Sequence, residues 1–540
     1  MIAWRSQDSS MARGGRPATR PWPPKSQYIS LLLATVSTML ALSTGTVAQA
    51  AEYKPAVDRD TLVVGLEKSI SNLDAQVTST GDSLLYAWQV YDTLYGFDSV
   101  GNLIPRMASG VQVSPDGTSY IFTLRKGIKF HNGDPLTVED VKYSLERILE
   151  PTTKSTRRVY FAPVVKGVEA AGDRVTITLK KPDGAFLNKV AGFLFIVPKR
   201  YTTSLPTPEA FAAAPIGSGP FRVKEFKIGQ SLELERFDGY WGKEIGERPG
   251  VSKLVLKFLP EAASRVNALL NGEIDLATVI PLQDVARLKG DDGLQVVINP
   301  NGGPVHVRLY SNVPAHPFAN PDVRRALNYA VDTNAIIKGV LHGVGSPMGS
   351  FISRYYPYGS DADTKPYPYD PTKARELLKK AGYPNGMEVK LYNGTDQPKE
   401  LAEAVAAYWG QVGVKTELVR MDYSAFIRLN NTHKAGPATI TIFSNVIYDP
   451  IHPIVGTFSK DGTWSDYYNP EVEALIGQLE RTLGPNARGA LFRKIGQLLR
   501  DDAASVNISE QFYVYGLKKN LQWQVQRGSG FLNFRRVEWK

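Results

Sequence analysis

Serine, histidine and aspartate side chains at workable spacings are the first chemistry to weigh in this chain. Gly81-Asp82-Ser83-Leu84 offers a serine behind a glycine, and Asp449-Pro450-Ile451-His452 places an acid three residues before an imidazole. Nucleophilic catalysis would need Ser83 activated by His452, with Asp449 orienting the ring. The surroundings oppose it: the stretch before the serine, Val77-Thr78-Ser79-Thr80, is polar rather than a buried strand, and Ser83 opens a predicted helix reaching Leu94. No G-x-S-x-G elbow occurs elsewhere to serve another hydrolase. The histidines His131, His306, His316, His342, His433 and His452 follow no H-x-H or H-E-x-x-H spacing, so no pair shares a helical face for a metal. Gly217-Ser218-Gly219-Pro220 lacks the lysine and hydroxyl of a phosphate loop and reads as a turn before a strand. The expectation is no catalytic residue, no metal and no cofactor.

These side chains need a large scaffold to position them. The chain has 540 residues, 43% of them apolar, enough for two or three packed units. It contains no cysteine, which excludes a disulfide scaffold and a thiolate metal centre. Of the net charge of +10, residues 1–50 hold +4 through Arg5, Arg13, Arg16, Arg20 and Lys25 against Asp8. The remaining surplus is spread without runs of Lys or Arg longer than a pair, so nucleic acid is not an expected partner. Residues 1–50 read as a signal peptide: a basic stretch, an apolar run from Ile29 to Leu42, then Ala48-Gln49-Ala50 as the cleavage site. That run is shorter than the roughly 20 residues of a membrane span. With no Arg-Arg and no cysteine at the cleavage point, a Sec-exported, unanchored periplasmic protein starting near Ala51 is expected.

From Thr61 to about Leu259 the pattern is mainly β. Thr61 to Val64, Tyr120 to Leu124 after the Pro115-Asp116-Gly117 turn, Val175 to Leu179 and Lys253 to Phe258 read as strands. Thr137 to Asp140 reads as a helix start, followed by Val141, Leu145, Ile148 and Leu149 on one face. After about Asn301 the character changes to α/β. Helices are predicted from Pro321 to Val331 and from Asp370-Pro371 to Gly382. Met387 to Tyr392, a helix from Pro398 to Val412, and Val414 to Val419 form a predicted βαβ unit with parallel strands. Helices Pro470 to Leu479 and Ala487 to Leu499 precede a strand at Phe512 to Leu517. Two lobes are expected, each with its own sheet, and ligands favour such inter-domain clefts.

Read end to end, the chain resembles the family 5 extracellular solute-binding proteins, the oligopeptide, dipeptide and nickel binding components of bacterial ABC importers. Asn72-Leu73-Asp74, Tyr91 to Tyr95 and Pro105 to Ala108 match its opening blocks. The most specific stretch runs from Ser114-Pro115-Asp116-Gly117 through Phe130-His131-Asn132-Gly133 to Ser144-Leu145-Glu146-Arg147. Gly217 to Phe221, Tyr240-Trp241, Arg265 to Asp275, Asp322 to Ala326 and Tyr369 to Tyr383 follow in the family's order. A second resemblance, to the GDSL esterases, rests on the Ser83 block with Asp449 and His452, and the family's G-x-N-D block is absent.

The first resemblance implies an α/β fold of the type II periplasmic binding protein class, two lobes joined by a hinge. The first-lobe core would comprise 52–95, 215–300 and 515–540, an extra subdomain 96–214, and the second lobe 301–514. It implies a monomer that captures a peptide or peptide-like solute between the lobes and hands it to membrane permease subunits. Peptide-binding members carry W-x-x-D-x-x-D-P in the second lobe, where the first Asp accepts the ligand's α-ammonium. Here the stretch is Phe443 to Pro450: Asp449-Pro450 is kept, the Trp is Phe443 and the amine-binding Asp is Val446. A neutral valine cannot pair with an ammonium. Either the ligand lacks a free amine at that place, leaving modified peptides, opines, glycosides or chelates, or Asn445, Asp82 or another acid takes the role. Candidate lining residues are Ser79, Thr80 and Gly81 on the first lobe, with Phe443, Asn445, Val446, Tyr448, Asp449 and Trp464 on the second. Arg354 is the candidate partner for a ligand carboxylate.

Overall fold

The computed structural model describes residues 60–78, 81–358, 364–395, 397–443 and 445–540, without the side chains of 81–83. The expected leader at 1–50, together with Ser79 and Thr80, lies outside the described residues. No described helix is long and apolar enough to cross a membrane.

Alternating hydrophobicity makes the strands. Leu62, Val64 and Leu66 of Thr61–Leu66 and Leu254 and Leu256 of Lys253–Phe258 are fully buried, and the two strands pair in parallel from Thr61↔Lys253 to Leu66↔Phe258. Helix Val138–Leu149 begins with the expected capping box, in which the Thr137 backbone N–H donates to Asp140 Oδ2 at 2.8 Å. Its apolar face covers a four-stranded antiparallel sheet ordered Ala108–Val113, Ser119–Leu124, Arg174–Leu179, Val165–Ala171. Helix Gly81–Val90 stops four residues before the predicted Leu94. Asp92 is drawn instead into a buried network, accepting from Arg106 Nε at 2.9 Å and Arg535 Nη1 at 3.0 Å. In the second half, Met387–Gly394, helix Lys399–Gly410 and Val414–Met421 form the predicted βαβ unit, the strands parallel from Met387↔Val414 to Gly394↔Met421.

The expectation of one sheet per lobe is corrected: ten strands form a single hydrogen-bonded sheet. Its order is Val414–Met421, Met387–Gly394, Ala438–Ile442, Leu294–Leu309, Ser505–Lys518, Leu276–Ala277, Thr61–Leu66, Lys253–Phe258, Ser231–Arg236, Phe221–Lys227. The reason is length. Leu294–Leu309 and Ser505–Lys518 have 16 and 14 residues and pair antiparallel from Leu294↔Lys518 to Arg308↔Ser505. At about 3.4 Å per residue they reach roughly 50 Å, so one end carries the first set of strands and the other end the second. Between Pro300 and Pro304 the register shifts, since neither proline donates to a ladder and Gly302 takes φ +72.

The apolar interior divides accordingly. One core joins residues of 62–258 to the C-terminal segment through Phe531, Leu532 and Phe534. A second gathers around Trp409 and the βαβ unit, and a third around helices Ile451–Phe458, Pro470–Arg481 and Pro485–Asp501. Ile447 and Tyr448 cross this division and belong to the first core.

Candidate functional site

Strand direction places the site. Thr61–Leu66 and Leu276–Ala277 run antiparallel to Ser505–Lys518 and therefore in the same sense as Leu294–Leu309, whereas Ala438–Ile442 and Met387–Gly394 run against it. The two sets sit at opposite ends of the long pair, so their carboxyl ends face each other across residues 298–304. Ligands bind outside carboxyl ends in open α/β sheets, where side chains leaving the strands converge.

Three adjoining chambers occupy that space. A chamber of about 130 Å³ is bounded by Glu67 and Lys68, which follow the first strand, by Thr278 and Val279, and by Asn445 and Val446. A chamber of about 350 Å³ lies in the second half, walled by Tyr160, Phe443 and Trp464 with Gln397, Asn430 and His452. A wider opening of about 890 Å³ is bounded by Glu67, Val279, Glu510 and Ile442. Glu67 and Val279 are common to the first and third, Ile442 to the second and third, and Val446 to the first and second. The chambers are neighbours that share wall residues, and Val446 stands between the first and the second.

The loop carrying Val446 is built tightly. A Cβ on Gly303 would collide with the Phe443 carbonyl oxygen, so glycine lets the long strand press against the end of Ala438–Ile442 and aim Phe443 into the cleft. Asn445 Nδ2 donates to the Asp449 carbonyl at 2.8 Å while its Oδ1 accepts from the Ile447 N–H at 3.2 Å, so this amide is spent on the turn. The Trp464 ring packs edge-on against Phe443 at 5.0 Å, and its Nε1 donates to Asn431 Oδ1 at 2.8 Å. His452 sits between Tyr160 and Phe443 with ring centroids at 5.6 and 5.7 Å. Burial pulls its pKa down to about 4 and that of His306 to about 3, so both imidazoles are neutral near pH 7. Arg308 enters the second-half chamber as a cation already paired, its Nη2 lying 3.2 Å from Asp466 Oδ2.

The structure brings Phe443, Asn445, Val446 and Trp464 together on the cleft wall. It places three other candidates elsewhere. Tyr448 is fully buried beneath the wall at φ +55, donating to Ser529 Oγ at 2.6 Å and packing at 4.6 Å on Phe97. Asp449 is fully buried too, accepting from Arg488 Nη2 at 2.8 and 2.6 Å, because two opposite charges out of water must pair. Arg354 lines none of the three chambers: its Nη2 donates to the Pro347 carbonyl at 3.1 Å and its Nε lies 3.8 Å from Glu510, which does line the third. Gly81 begins helix Gly81–Val90, whose Leu85 reaches the first chamber. The hydrolase arrangement is not assembled, since Asp449 is held by Arg488 rather than by His452. Glu67, Gln397, His306 and Asn430 escaped the sequence reading. For Glu67 and Gln397 the signal was present, as both follow strands at their carboxyl ends. For His306 and Asn430 it was not, since the first depends on register inside a long strand and the second on helix packing.

Comparison with known proteins agrees with this architecture. Residues 102–465 match the model of the bacterial extracellular solute-binding proteins, family 5. Heme-binding protein A of Haemophilus influenzae is 30% identical over 481 residues, covering 82% of this chain and 85% of that one. Glutathione-binding protein GsiB of Pectobacterium atrosepticum is 32% identical over 365 residues, 67% of this chain and 69% of its own. Among solved structures, HbpA2 from Haemophilus parasuis superposes with a TM-score of 0.79 at 25% identity over 89% of this chain and all of that one. The binding protein AgaA in complex with agropinic acid, from A. tumefacien R10, does so with a TM-score of 0.73 at 27% identity over 89% and 99%. Members of this family are transport proteins and not enzymes, and the esterase alternative finds no support. A cleft between strand ends, walled by residues of both halves, is the expected site of such a protein, and the chain belongs to the family 5 bacterial extracellular solute-binding proteins, the substrate-binding components of ABC importers.

Proposed function

We propose that this protein captures a peptide-like solute whose α-nitrogen is blocked, conjugated or absent. The observation that carries the reading is Val446. It borders two chambers of the cleft, at the position that the resemblance matches to the ammonium-binding aspartate of peptide-binding members, and no acid lines the second-half chamber among the described residues. An ammonium desolvated in the second-half chamber would lack a counter-charge, a cost of several kcal/mol. The acids on the cleft wall are Glu67, which lines the first chamber, and Glu261, Glu400 and Glu510 of the third, the last occupied by Ser346 and Ser353. The relatives named for heme, glutathione and agropinic acid binding support a cleft that accommodates more than plain peptides.

Phe443, Val446 and Trp464 would touch the solute, and Asn445 would hold the loop that presents them. Ser79, Thr80 and Gly81 would complete the first-lobe wall. Lobes at 52–95 plus 215–300 plus 515–540 and at 301–514, with the subdomain 96–214, would close on the solute, and the permease would read the closed form. Export by the leader at 1–50 would deliver a monomeric, unanchored protein to the periplasm. Thermal unfolding after denaturation and refolding, which strips bound solute, tests the assignment. A ligand at a hundredfold excess over its Kd adds about 2.7 kcal/mol. Amine-blocked or conjugated peptides raising the Tm above the shift given by free peptides supports the reading. The reverse order assigns the ammonium to Glu67.

A further inference from the structure

Arg265 is buried on helix Ala262–Leu270, and its guanidinium holds backbone. Its Nη1 donates to the Leu259 and Pro260 carbonyls at 2.7 Å each, its Nε to the Thr278 carbonyl at 3.0 Å and its Nη2 to the Val279 carbonyl at 3.0 Å. These carbonyls lie where the chain leaves strands Lys253–Phe258 and Leu276–Ala277 at their carboxyl ends, on the cleft side of the sheet. Val279, flanked by two of the gripped carbonyls, takes φ +50. It is the one β-branched residue at positive φ among the described residues. A branched side chain opposes that conformation, which persists only where the surroundings enforce it and which collects at ligand clamps.

The grip leaves one donor over. The Thr278 N–H donates to the Gly65 carbonyl at 3.0 Å and the Ile280 N–H to the Val514 carbonyl at 2.9 Å, whereas the Val279 N–H between them meets no acceptor among the described residues. The Thr278–Val279 peptide bond is trans, so this N–H points opposite to the carbonyl that Arg265 holds. Thr278 and Val279 line the first chamber and Arg265 does not. We infer that the Val279 N–H is a solute-binding donor of the first chamber, that it takes an amide carbonyl oxygen of the solute, and that Arg265 is the positioning residue that holds it in place. A single uncharged N–H matches a single uncharged acceptor. The inference rests on the cleft reading above and adds the point at which the solute's own backbone docks.

Titration calorimetry on the refolded full chain with trialanine, N-acetylated and free, tests it in a double-mutant cycle. For the form that binds more tightly, Arg265→Met is expected to weaken binding about threefold to tenfold while residue 279 is valine. Added to Val279→Gly, the same change is expected to cost less than about twofold, because glycine keeps a positive φ without being held there. Equal losses in the two backgrounds mark a structural role alone and overturn the positioning by Arg265. A second measurement needs no change at Arg265. In protein with isotope-labelled valine nitrogen, the Val279 amide signal, identified by its absence from Val279→Gly, is expected to move downfield on saturation with the same peptide. An unmoved signal overturns the donor while leaving a blocked-amine solute in place. Tighter binding of the free form, with the cycle and the shift as expected, overturns the blocked-amine reading and leaves the donor standing. Binding of neither form overturns both.

Discussion

Val446 lines both the first and the second chamber, and a single substitution tests the role proposed for it. Val446→Asp places a carboxylate where a free α-ammonium would arrive, and a charge-assisted bond contributes about 1.5–3 kcal/mol. Affinity for a free-amine dipeptide is expected to rise roughly tenfold to a hundredfold in calorimetric titration; an unchanged affinity would show that amines do not enter at this point. A few residues along, Arg488 is fully buried and donates to the Leu479 and Thr482 carbonyls as well as to Asp449. Arg488→Met strands the Asp449 charge, and urea unfolding is expected to record a loss of about 3–5 kcal/mol. At this scale the sequence exposed the Asp449-Pro450 anchor and hence the loop around it. It could not separate the side chains that face the cleft from Tyr448, because the left-handed backbone at Tyr448 turns that ring into a different core.

Local signals at element ends carried well. Asn320 caps helix Pro321–Tyr329 by accepting from the Asp322 N–H, Asp370 caps Pro371–Lys380 from Lys373, and both helices lie where their Asn-Pro and Asp-Pro pairs put them. Pairing between distant strands was invisible, since nothing in Leu294–Leu309 alone announces Ser505–Lys518 as its neighbour. The same holds for the clamp on the C-terminal segment, where Arg535 reaches Asp92, Tyr240 and Glu247. That clamp sets a pH dependence. Burial opposes ionisation of Glu247, but Arg106 and Arg535 outweigh it and hold the carboxyl at about 2 against an ordinary 4.5. A depressed pKa stabilises the fold above the unfolded value and is lost as pH falls through the folded one, a term on the order of 3 kcal/mol. Unfolding free energy is therefore expected to drop between about pH 4.5 and 2. Glu247→Gln is expected to be less stable at pH 7 and to show a shallower drop over that window; an unaltered slope would remove Glu247 as its source.

Across the described residues two sets of strands share one continuous sheet, and Ile447 and Tyr448, which follow strand Ala438–Ile442, pack into the first core. Asn188 Nδ2, from helix Phe186–Phe193, donates to the Ile447 carbonyl at 2.8 Å and strengthens that contact. Truncating a buried aromatic costs about 3–5 kcal/mol, so Tyr448→Ala is expected to lower stability by that amount and to enlarge the unliganded protein in small-angle scattering. The central claim is that this cleft selects solutes without a free α-ammonium. The most direct measurement is titration calorimetry of the refolded full chain with one peptide in two forms, its N-terminus free and its N-terminus acetylated. The account predicts tighter binding of the acetylated form and reversal of that order in Val446→Asp. Tighter binding of the free form by the unsubstituted protein would contradict it.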